Sequence, residues 1–301
     1  MRFIYQYPDA HGLDVDLLDS GRVHVLAAAA EAAGWDGFAF TEHPVPSARW
    51  LANGGHQTLD PFVALGHVAA VTTRLRLLTY LAVLPYRNPF LLAKAAATVD
   101  KLSEGRLILG AGTGYLKSEF FALGVDFEER NELFDEALDV LALHWSGNPF
   151  SYDGRHFQAR DVISRPRPVQ DPIPIWIGGN ARATLRRVAD RAQGWMPLTG
   201  PPGLATTART AHLATVADIA AKVAELRDLA GDRASALDIT VAYMDPGLTE
   251  PTADSDRHRD ALAELEGAGA TWVVVPGQVG SERASVEFIE AFAATYVRSG
   301  S

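Results

Sequence analysis

The sequence predicts an α/β fold, a closed parallel (β/α)8 TIM barrel with an insertion between strands four and five. Two observations predict it: eight short strand-like segments recur along the chain, and helix-like sequence lies between them. Strands that alternate with helices form a parallel sheet with the helices outside, and eight such units favour a closed barrel over an open sheet. We therefore expect a single domain that covers residues 1–301.

The eight predicted strands are mostly continuous apolar runs, which is the pattern of parallel strands buried on both faces. They cover Arg2–Tyr7, Gly37–Thr41, Leu75–Tyr80, Arg106–Gly110, Ile173–Gly178, Gly194–Pro197, Leu237–Met244 and Thr271–Pro276. In such a barrel the active site forms at the carboxyl ends of the strands, in the loops that lead to the helices. The candidate functional residues are therefore those that follow each strand.

Three of the predicted helices have clear sequence signals. One begins at Asn88-Pro89, because asparagine can cap a helix and proline suits its first turn, and it ends before Gly105. Its predicted buried stripe consists of Leu92, Ala95, Ala96, Val99 and Leu102. The other two helices cover Asn131–Trp145 and Ala181–Ala192.

The segment between strands four and five is too long for one helix. Phe150–Gln158 predicts a small hairpin that turns at Asp153-Gly154. Closely spaced prolines then predict an extended segment, since proline does not fit inside a helix. They are Pro166, Pro168, Pro172 and Pro174. We interpret this segment as an insertion over one barrel end, and we expect loops at Ala205–Ala217 and Asp245–Asp256.

The composition excludes several classes of function. Lys and Arg total 27 against 37 for Asp and Glu, and the formal net charge of −10 argues against nucleic acid and anionic membrane as partners. The absence of cysteine excludes disulfides, thiolate metal sites and a cysteine nucleophile, and it fits the cytoplasm. The first residues lack the features of a signal peptide, and no apolar run approaches the ~20 residues that span a bilayer.

His43 is the candidate catalytic residue, in the segment Thr41-Glu42-His43 after strand two. An imidazole at the barrel mouth can move a proton or hydrogen-bond a substrate near neutral pH, while the alternative is a structural histidine bonded to a loop carbonyl. We expect Glu42 to point into the barrel wall or to pair with an arginine, because neighbouring strand residues face opposite ways. No second acidic residue stands out at a strand end, which argues against a glycosidase pair. The other histidines show no metal-ligand spacing, so we expect no metal site.

Glycines follow strands four and five. The segment Gly110–Gly114 lets backbone approach a flat or anionic group, but its spacing and the lack of a following acid argue against a Rossmann fingerprint. Gly178-Gly179-Asn180 precedes a helix, whose free amides and dipole can bind a phosphate, and Thr199 after strand six could add a hydroxyl. Tight turns and an asparagine-capped helix are the structural alternatives.

The strand-three segment Thr79-Tyr80-Leu81 runs on apolar and turns at Pro85. Such a strand end could carry a bulge against a planar ring. The sequence alone favours the other interpretation, a long buried strand.

Motifs spread over nearly the whole chain point to one family. They are Gly34-Trp35-Asp36-Gly37, Thr41-Glu42-His43, Arg87-Asn88-Pro89, Asp100-Lys101-Leu102-Ser103-Glu104-Gly105-Arg106, Leu109-Gly110-Ala111-Gly112-Thr113-Gly114, Glu119-Phe120-Phe121-Ala122-Leu123-Gly124-Val125, Pro166-Arg167-Pro168-Val169-Gln170, Pro174-Ile175-Trp176-Ile177-Gly178-Gly179-Asn180 and Gly194-Trp195. With them the chain resembles the luciferase-like monooxygenase superfamily, and more closely its coenzyme F420-dependent branch from actinobacteria. Members that use FMN and members that use F420 share these motifs. The motifs therefore identify the superfamily more specifically than they identify the cofactor.

The resemblance implies a role for each matching position. Family members carry a bulge with a non-prolyl cis peptide behind the cofactor ring at the place of Tyr80-Leu81, next to Thr79. The positions that contact the ring or ribityl chain correspond to Thr113, Gly114 and Ser118. The phosphate cradle corresponds to Gly178, Gly179 and Thr199, with Asn180 beside it. His43 matches the active-site histidine. Tyr115 replaces a catalytic glutamate of the sugar-phosphate dehydrogenases, which argues against glucose-6-phosphate chemistry.

The resemblance therefore implies an oxidoreductase that moves a hydride between F420 and a small organic substrate, as a homodimer. The first alternative is a monooxygenase that uses reduced FMN and O2. The second is a non-catalytic flavin-binding protein, because fold does not fix function. An open cavity beside His43 would favour an enzyme, since a carrier would fill that space with side chains.

Overall fold

The computed structural model describes residues 1–200, 202–208 and 210–297 and contains a closed barrel of eight parallel strands. The predicted fold class is confirmed. The strands are β1 (Arg2–Gln6), β2 (Gly37–Phe40), β3 (Arg76–Thr79), β4 (Leu107–Gly112), β5 (Ile175–Gly178), β6 (Gly194–Met196), β7 (Asp238–Ala242) and β8 (Trp272–Pro276).

Each strand of the ring pairs with its sequence neighbours, and β1 pairs with β8, so the sheet closes. The insertion does not interrupt the ring, because β4 and β5 pair directly, with Ile175 opposite Leu109. The strands are buried along most of their length, as their apolar sequences predict.

Alternate strand residues form a small apolar cluster inside the barrel, which includes Ile4, Leu78 and Val274. The outward-facing residues belong to the larger cluster beneath the helices. Two tryptophans, Trp176 and Trp272, fill the interior near the start of β5 and β8, with ring centroids 5.4 Å apart.

In the part of the chain that the structure describes, eight helices of ten or more residues surround the barrel. They are α1 (Val23–Ala33), α2 (Pro61–Val71), α3 (Pro89–Leu102), α4 (Arg130–Trp145), α5 (Arg182–Arg191), α6 (Val216–Ala230), α7 (Ser255–Gly267) and α8 (Glu282–Phe292). The predicted start of α3 is confirmed, because the Asn88 side chain accepts from the Phe90 N–H and Pro89 follows it. The buried stripe of α3 is only partly as predicted, since Leu102 is 66% exposed.

The predicted hairpin is present as two antiparallel strands, Phe150–Asp153 and Gln158–Val162, and the proline segment after it forms no helix. Asp100 fastens that segment to α3 by accepting from the Val169 N–H at 2.8 Å. The predicted loop at Ala205–Ala217 is partly wrong, because a short helix covers Pro202–Ala208.

Smaller elements build the mouth of the barrel above the strand ends. Ala10–His11 pairs antiparallel with His56–Gln57, and Ala82–Val83, which follows the cis Tyr80-Leu81 peptide after β3, pairs with the end of β4. Short helices cover Ala48–Leu51 and Lys117–Ala122. Short 3-10 helices cover Leu84–Tyr86, Gly231–Ala236 and Pro246–Thr249, and a π-helical turn covers Ala293–Val297. Among the described residues, no helix combines the length and apolarity needed to cross a lipid bilayer.

Candidate active site

A cavity of about 300 Å³ opens at the carboxyl ends of the strands, and we call it the mouth cavity. Its lining residues are Gln6, Asp9, Thr41, Glu42, His43, His56, Tyr80, Leu81, Val83, Tyr86, Gly112, Thr113, Gly114, Tyr115, Gly178, Gly179, Met196, Pro197, Leu198, Thr199, Thr210, Ala242 and Met244. The structure thus brings together most of the predicted site residues, which follow five of the eight strands, β2 to β6.

His43 lies in the loop after β2, and its side chain is 9% exposed. The His43 backbone N–H donates to Thr58 Oγ1 at 2.9 Å, which fixes the loop. Its Nδ1 lies 3.3 Å from Glu119 Oε2, and its Nε2 lies 3.4 Å from the Tyr115 hydroxyl. Since an ionised carboxylate only accepts, Nδ1 carries the proton in the first pair, and Nε2 is left as the acceptor. The arrangement orients the imidazole for proton transfer at Nε2.

Glu119 is the buried partner that orients His43. It comes from the short helix Lys117–Ala122 and is fully buried. Besides His43, it accepts from the Tyr86 hydroxyl at 2.8 Å and the Val45 N–H at 3.3 Å. Burial and the adjacent Glu119 raise the pKa of Tyr86, so this phenol stays protonated and donates. These donors compensate the carboxylate for the water it has lost.

Asp9 is a second acidic group in the cavity, in the loop after β1. It accepts from Thr41 Oγ1 at 2.5 Å and from Gln6 Nε2 at 2.8 Å. Burial raises the pKa of Asp9 to about 6, although these hydrogen bonds and nearby histidines oppose the shift. His56 Nε2 lies 3.6 Å from Asp9 Oδ2, and burial lowers the pKa of His56 to about 3. His56 is therefore neutral at physiological pH, whereas Asp9 gains or loses its charge at a pH of about 6.

The aromatic ring of Trp50 packs on His43 from outside the cavity. Its centroid lies 4.5 Å from that of the imidazole, and His56 lies 4.8 Å from His43 on another side. A Cβ on Gly55 would lie 2.3 Å from the Trp50 ring, so glycine is needed to seat the indole. Trp50 supports His43 and does not line the cavity.

Two glycines make room in the cavity floor around Leu81. A Cβ on Gly178 would lie 2.5 Å from Leu81 Cδ1, and one on Gly112 would lie 3.0 Å from the same atom. The Tyr80-Leu81 peptide bond is cis, at the position where the resemblance implies it. Thr113 and Gly114 line the same region. The floor therefore presents backbone and a leucine side chain to whatever binds above it.

In the proposed phosphate region, the amides of the two residues that precede the cap of α5 are not free. The Gly179 N–H donates to the Met196 carbonyl at 3.2 Å, and the Asn180 N–H donates to Thr210 Oγ1 at 3.0 Å. Both amides are thus engaged. Thr199 Oγ1, in contrast, is buried and has no hydrogen-bond partner among the described residues, although it lines the cavity. The available donors in this region are Thr199 and the first-turn amides of α5.

Three predicted site residues do not line the cavity. Thr79 is fully buried, and its hydroxyl donates to the Gly110 carbonyl at 2.8 Å. Ser118 is exposed on its helix. Asn180 is 1% exposed, and its amide group donates to the Leu198 and Ala211 carbonyls at 2.8 and 2.7 Å. It ties two loops together, and the residue that caps α5 is Ala181.

Glu42 pairs with an arginine, as predicted. Its carboxylate accepts from both Arg87 Nη atoms and from the Val83 N–H at 2.6 Å. Burial raises the pKa of Glu42, while Arg87 acts in the opposite direction. This carboxylate holds the loops after β2 and β3 together.

Sequence reasoning missed Asp9, His56 and Glu119. The expectation that no second acid follows a strand was wrong, because Asp9 comes directly after β1, and the strand-end rule could have found it. His56 was also given no place in the site from the sequence, although it lines the mouth cavity. That residue reaches the mouth only through the pairing of His56–Gln57 with Ala10–His11, which no local signal indicates. No group of three metal-ligating side chains occurs in the part of the chain that the structure describes.

Comparisons with known proteins agree with this architecture. Residues 1–242 match the family model for luciferase-like monooxygenase. An uncharacterized protein of Mycobacterium tuberculosis is 32% identical over 262 residues, which cover 83% of each chain. The F420-dependent glucose-6-phosphate dehydrogenase of Microbacterium testaceum is 30% identical over 204 residues, which cover 66% of this chain and 57% of that enzyme. The solved structure of a riboflavin lyase with modified FMN has a TM-score of 0.76 at 16% identity, covering 99% and 92% of the two chains.

Proposed function

Because the chain belongs to the luciferase-like monooxygenase family, we propose that it is an oxidoreductase that transfers a hydride between coenzyme F420 and a small organic substrate. The single observation that carries this proposal is the mouth cavity, where an oriented histidine faces open space beside a glycine-lined floor. The F420-dependent relative supports the choice of cofactor.

The residues of the mouth cavity fit a tricyclic cofactor with a phosphate. A Cβ at Gly112 or Gly178 would meet the Leu81 side chain, so glycine at these positions lets Leu81 lie in the cavity floor, beneath the place that we propose for the ring. Thr199 Oγ1 is a buried hydroxyl that a phosphate oxygen would satisfy, together with first-turn amides of α5. F420 would supply a ring carbon that gives or accepts the hydride.

His43 would hold or move the proton that accompanies hydride transfer to or from a C–O or C=C bond. Glu119 fixes the Nδ1 proton, so the exchangeable position is Nε2. Tyr115 lies 3.4 Å from Nε2 and could pass the proton on or bind a substrate oxygen. With tyrosine where sugar-phosphate dehydrogenases have a glutamate, the substrate we propose is not glucose-6-phosphate.

Use of reduced FMN with O2 is the second candidate, and both the family description and the FMN-containing structural neighbour favour it. The third candidate, a non-catalytic flavin-binding protein, is disfavoured by the open cavity beside His43.

Fluorescence titration of the purified protein with F420 and with FMN tests the proposal. We expect tighter binding of F420. Thr199→Val should weaken F420 binding about 10–100-fold, because it removes one hydrogen bond to a charged phosphate. The exposed Thr252→Val is the matched control. A clear preference for FMN would favour the monooxygenase candidate. An unchanged affinity of Thr199→Val for F420 would show that the phosphate does not bind at Thr199.

We also propose that the protein is a homodimer that buries the outer faces of α2 and α3. The sequence of α2 contains no charged residue, and Val63 on its outer face is 75% exposed. On the adjacent α3, Leu91 and Leu102 are 70% and 66% exposed. A helix that is apolar all round is typically covered on both sides. Light scattering should show a dimer that Val63→Lys converts to monomer and that Val279→Lys, at a similarly exposed valine, leaves intact.

A further inference from the structure

A second cavity, of about 460 Å³, lies at the opposite end of the barrel, where the strands begin. We call it the basal cavity. Its lining residues are Arg2, Gly34, Trp35, Asp36, Arg74, Arg76, Ile108, Pro174, Trp176, Asp238 and Trp272. It shares no lining residue with the mouth cavity, and the proposed function does not use it.

Three residues that line the basal cavity each carry a buried hydrogen-bond donor without a partner among the described residues. Trp176 Nε1, Trp272 Nε1 and Arg76 Nε are buried and have no acceptor among the described residues. The two tryptophans are 1% and 3% exposed. Indole and guanidinium groups can only donate, so these three N–H groups cannot act as acceptors for one another and need an acceptor from elsewhere. Buried donors in native proteins are nearly always paired, and these three require an acceptor.

Not every arginine near the start of the strands has an unpaired donor as Arg76 has. Arg106, also buried near the strand starts, donates from Nε to the Ser103 carbonyl at 2.7 Å and from both Nη atoms to Thr72. It also donates to the carbonyls of Leu75 and Ala69. Arg76 makes one short bond, to Gln170 Oε1 at 2.9 Å, and its other two are 3.4 Å long. Arg106 is therefore a structural arginine, whereas Arg76 keeps donor capacity beside the cavity.

The acidic residues of the basal cavity are already engaged. Asp238 accepts from Arg2 at 2.8 Å and from Thr271 at 3.0 Å, and Asp36 accepts from the Phe3 N–H at 2.8 Å. The basic residues Arg2, Arg74 and Arg76 outnumber them, and Arg2 Cζ lies 3.9 Å from the centroid of the Trp272 ring. Positive charge and unpaired donors together select a ligand that is negative and only accepts.

We propose that the basal cavity binds a small organic oxyanion, a carboxylate or a phosphate ester. Its oxygens would accept from Arg76 and from the two indole N–H groups, and the exposed lining residue Arg74 would balance its charge. The volume exceeds what an inorganic ion needs, so an organic portion can pack against the tryptophan rings. The site is separate from the mouth cavity, so the proposal stands or falls independently of the cofactor.

Titration of the full chain with inorganic phosphate and with succinate, against chloride at equal ionic strength, tests this site. Tryptophan fluorescence should report saturable binding of at least one of the two anions. Trp272→Phe keeps an aromatic ring and removes the N–H, and Arg74→Ala removes a charge from an exposed position. Each should weaken that binding about tenfold, the usual effect of losing one charge-assisted hydrogen bond.

Two controls separate the basal cavity from the mouth. Thr199→Val alters the proposed phosphate position of the mouth and should leave this binding unchanged, and Trp50→Phe should leave the fluorescence response in place. Circular dichroism and calorimetric titration of each variant show whether it is folded and binds independently of the fluorescence signal. The proposal is overturned if neither anion binds saturably, or if binding persists in folded Trp272→Phe and Arg74→Ala but disappears in Thr199→Val.

Discussion

The two ends of the barrel are built from the same strands but carry opposite chemistry. At the mouth, Glu119 contacts His43 and Asp9 contacts His56, beside an open cavity. At the base, arginines and tryptophans supply donors and bulk. The difference follows from topology, because all carboxyl ends of parallel strands meet at one face, where variable loops converge. Most of the connections to the amino ends are short, and the exception is the segment with the hairpin between α4 and β5.

The buried charges at the two ends also have different partners. At the mouth, Glu119 receives hydrogen bonds from side chains and a backbone amide around one imidazole, so a change there alters a proton position. At the base, Arg106 bonds mainly to backbone carbonyls, so a change there loosens the fold. We therefore expect the loss of His43 at the mouth to change turnover, and the loss of Arg106 at the base to change stability.

His43→Ala should have the largest effect. If Nε2 moves the proton, turnover should fall about 10²–10⁴-fold while cofactor affinity stays nearly unchanged, since the imidazole faces the substrate side. Steady-state turnover with any accepted substrate and a parallel cofactor titration give the two numbers. His24→Ala, at an exposed histidine on α1, is the control. Full turnover in His43→Ala would remove the residue from the mechanism, and loss of cofactor would make it a binding residue.

Arg106→Met tests the base. The variant leaves the carbonyls of Ser103, Leu75 and Ala69 without their donor. Each unsatisfied buried group costs about 1–3 kcal/mol, so we expect the free energy of unfolding to fall by at least about 3 kcal/mol. Urea unfolding measures this loss. Turnover per folded molecule should not change, and a specific loss of turnover would contradict the division between the two ends.

Asp9→Asn should change the free energy of unfolding in a way that depends on pH. Burial raises the pKa of Asp9 to about 6, above its value in the unfolded chain. As the pH rises, Asp9 therefore loses its proton in the unfolded state before it does so in the folded state. Wild-type stability should therefore decrease as the pH rises from about 4 to about 6 and then level off. Asparagine removes this penalty, and the variant should be more stable above pH ~6, by up to about 3 kcal/mol, with no gain below pH ~4. An offset that is the same at every pH would show that the carboxyl does not titrate this way.

The contrast between ends also explains what the sequence could predict. Continuous apolar runs predict buried parallel strands, and so they predict the barrel. The carboxyl ends of these strands meet at one face, so the residues that follow them, among them His43 and the glycines, could be predicted to lie together. Glu42 was correctly expected to pair with an arginine. His56 and Glu119 depend on a two-residue ladder and on a short helix that folds over the mouth, and such contacts between distant segments leave no periodic signal.

The basal cavity was beyond prediction for a related reason. Trp176 and Trp272 look like ordinary core residues in their strands, and only the structure reveals that their nitrogens lack acceptors. Likewise, only the structure reveals that the amides of Gly179 and Asn180 already donate, to the Met196 carbonyl and to Thr210 Oγ1. Hydrogen-bond satisfaction is a property of the packed chain, and residue type alone does not determine it.

Arg2→Met should have the smallest effect and sharpens the comparison within the base. Arg2 pairs with Asp238 at 2.8 Å, but its side chain is 50% exposed, so water and salt screen the pair. Its contact with the Trp272 ring adds a cation–π term of similar size. Together these predict a loss of about 1–2 kcal/mol that shrinks at high salt. Urea unfolding at low and high salt, with the largely exposed Arg283→Met as control, measures it. A loss as large as that of Arg106→Met would mean that Arg2 is a structural arginine as well. Its guanidinium would then not be available to an anion in the basal cavity.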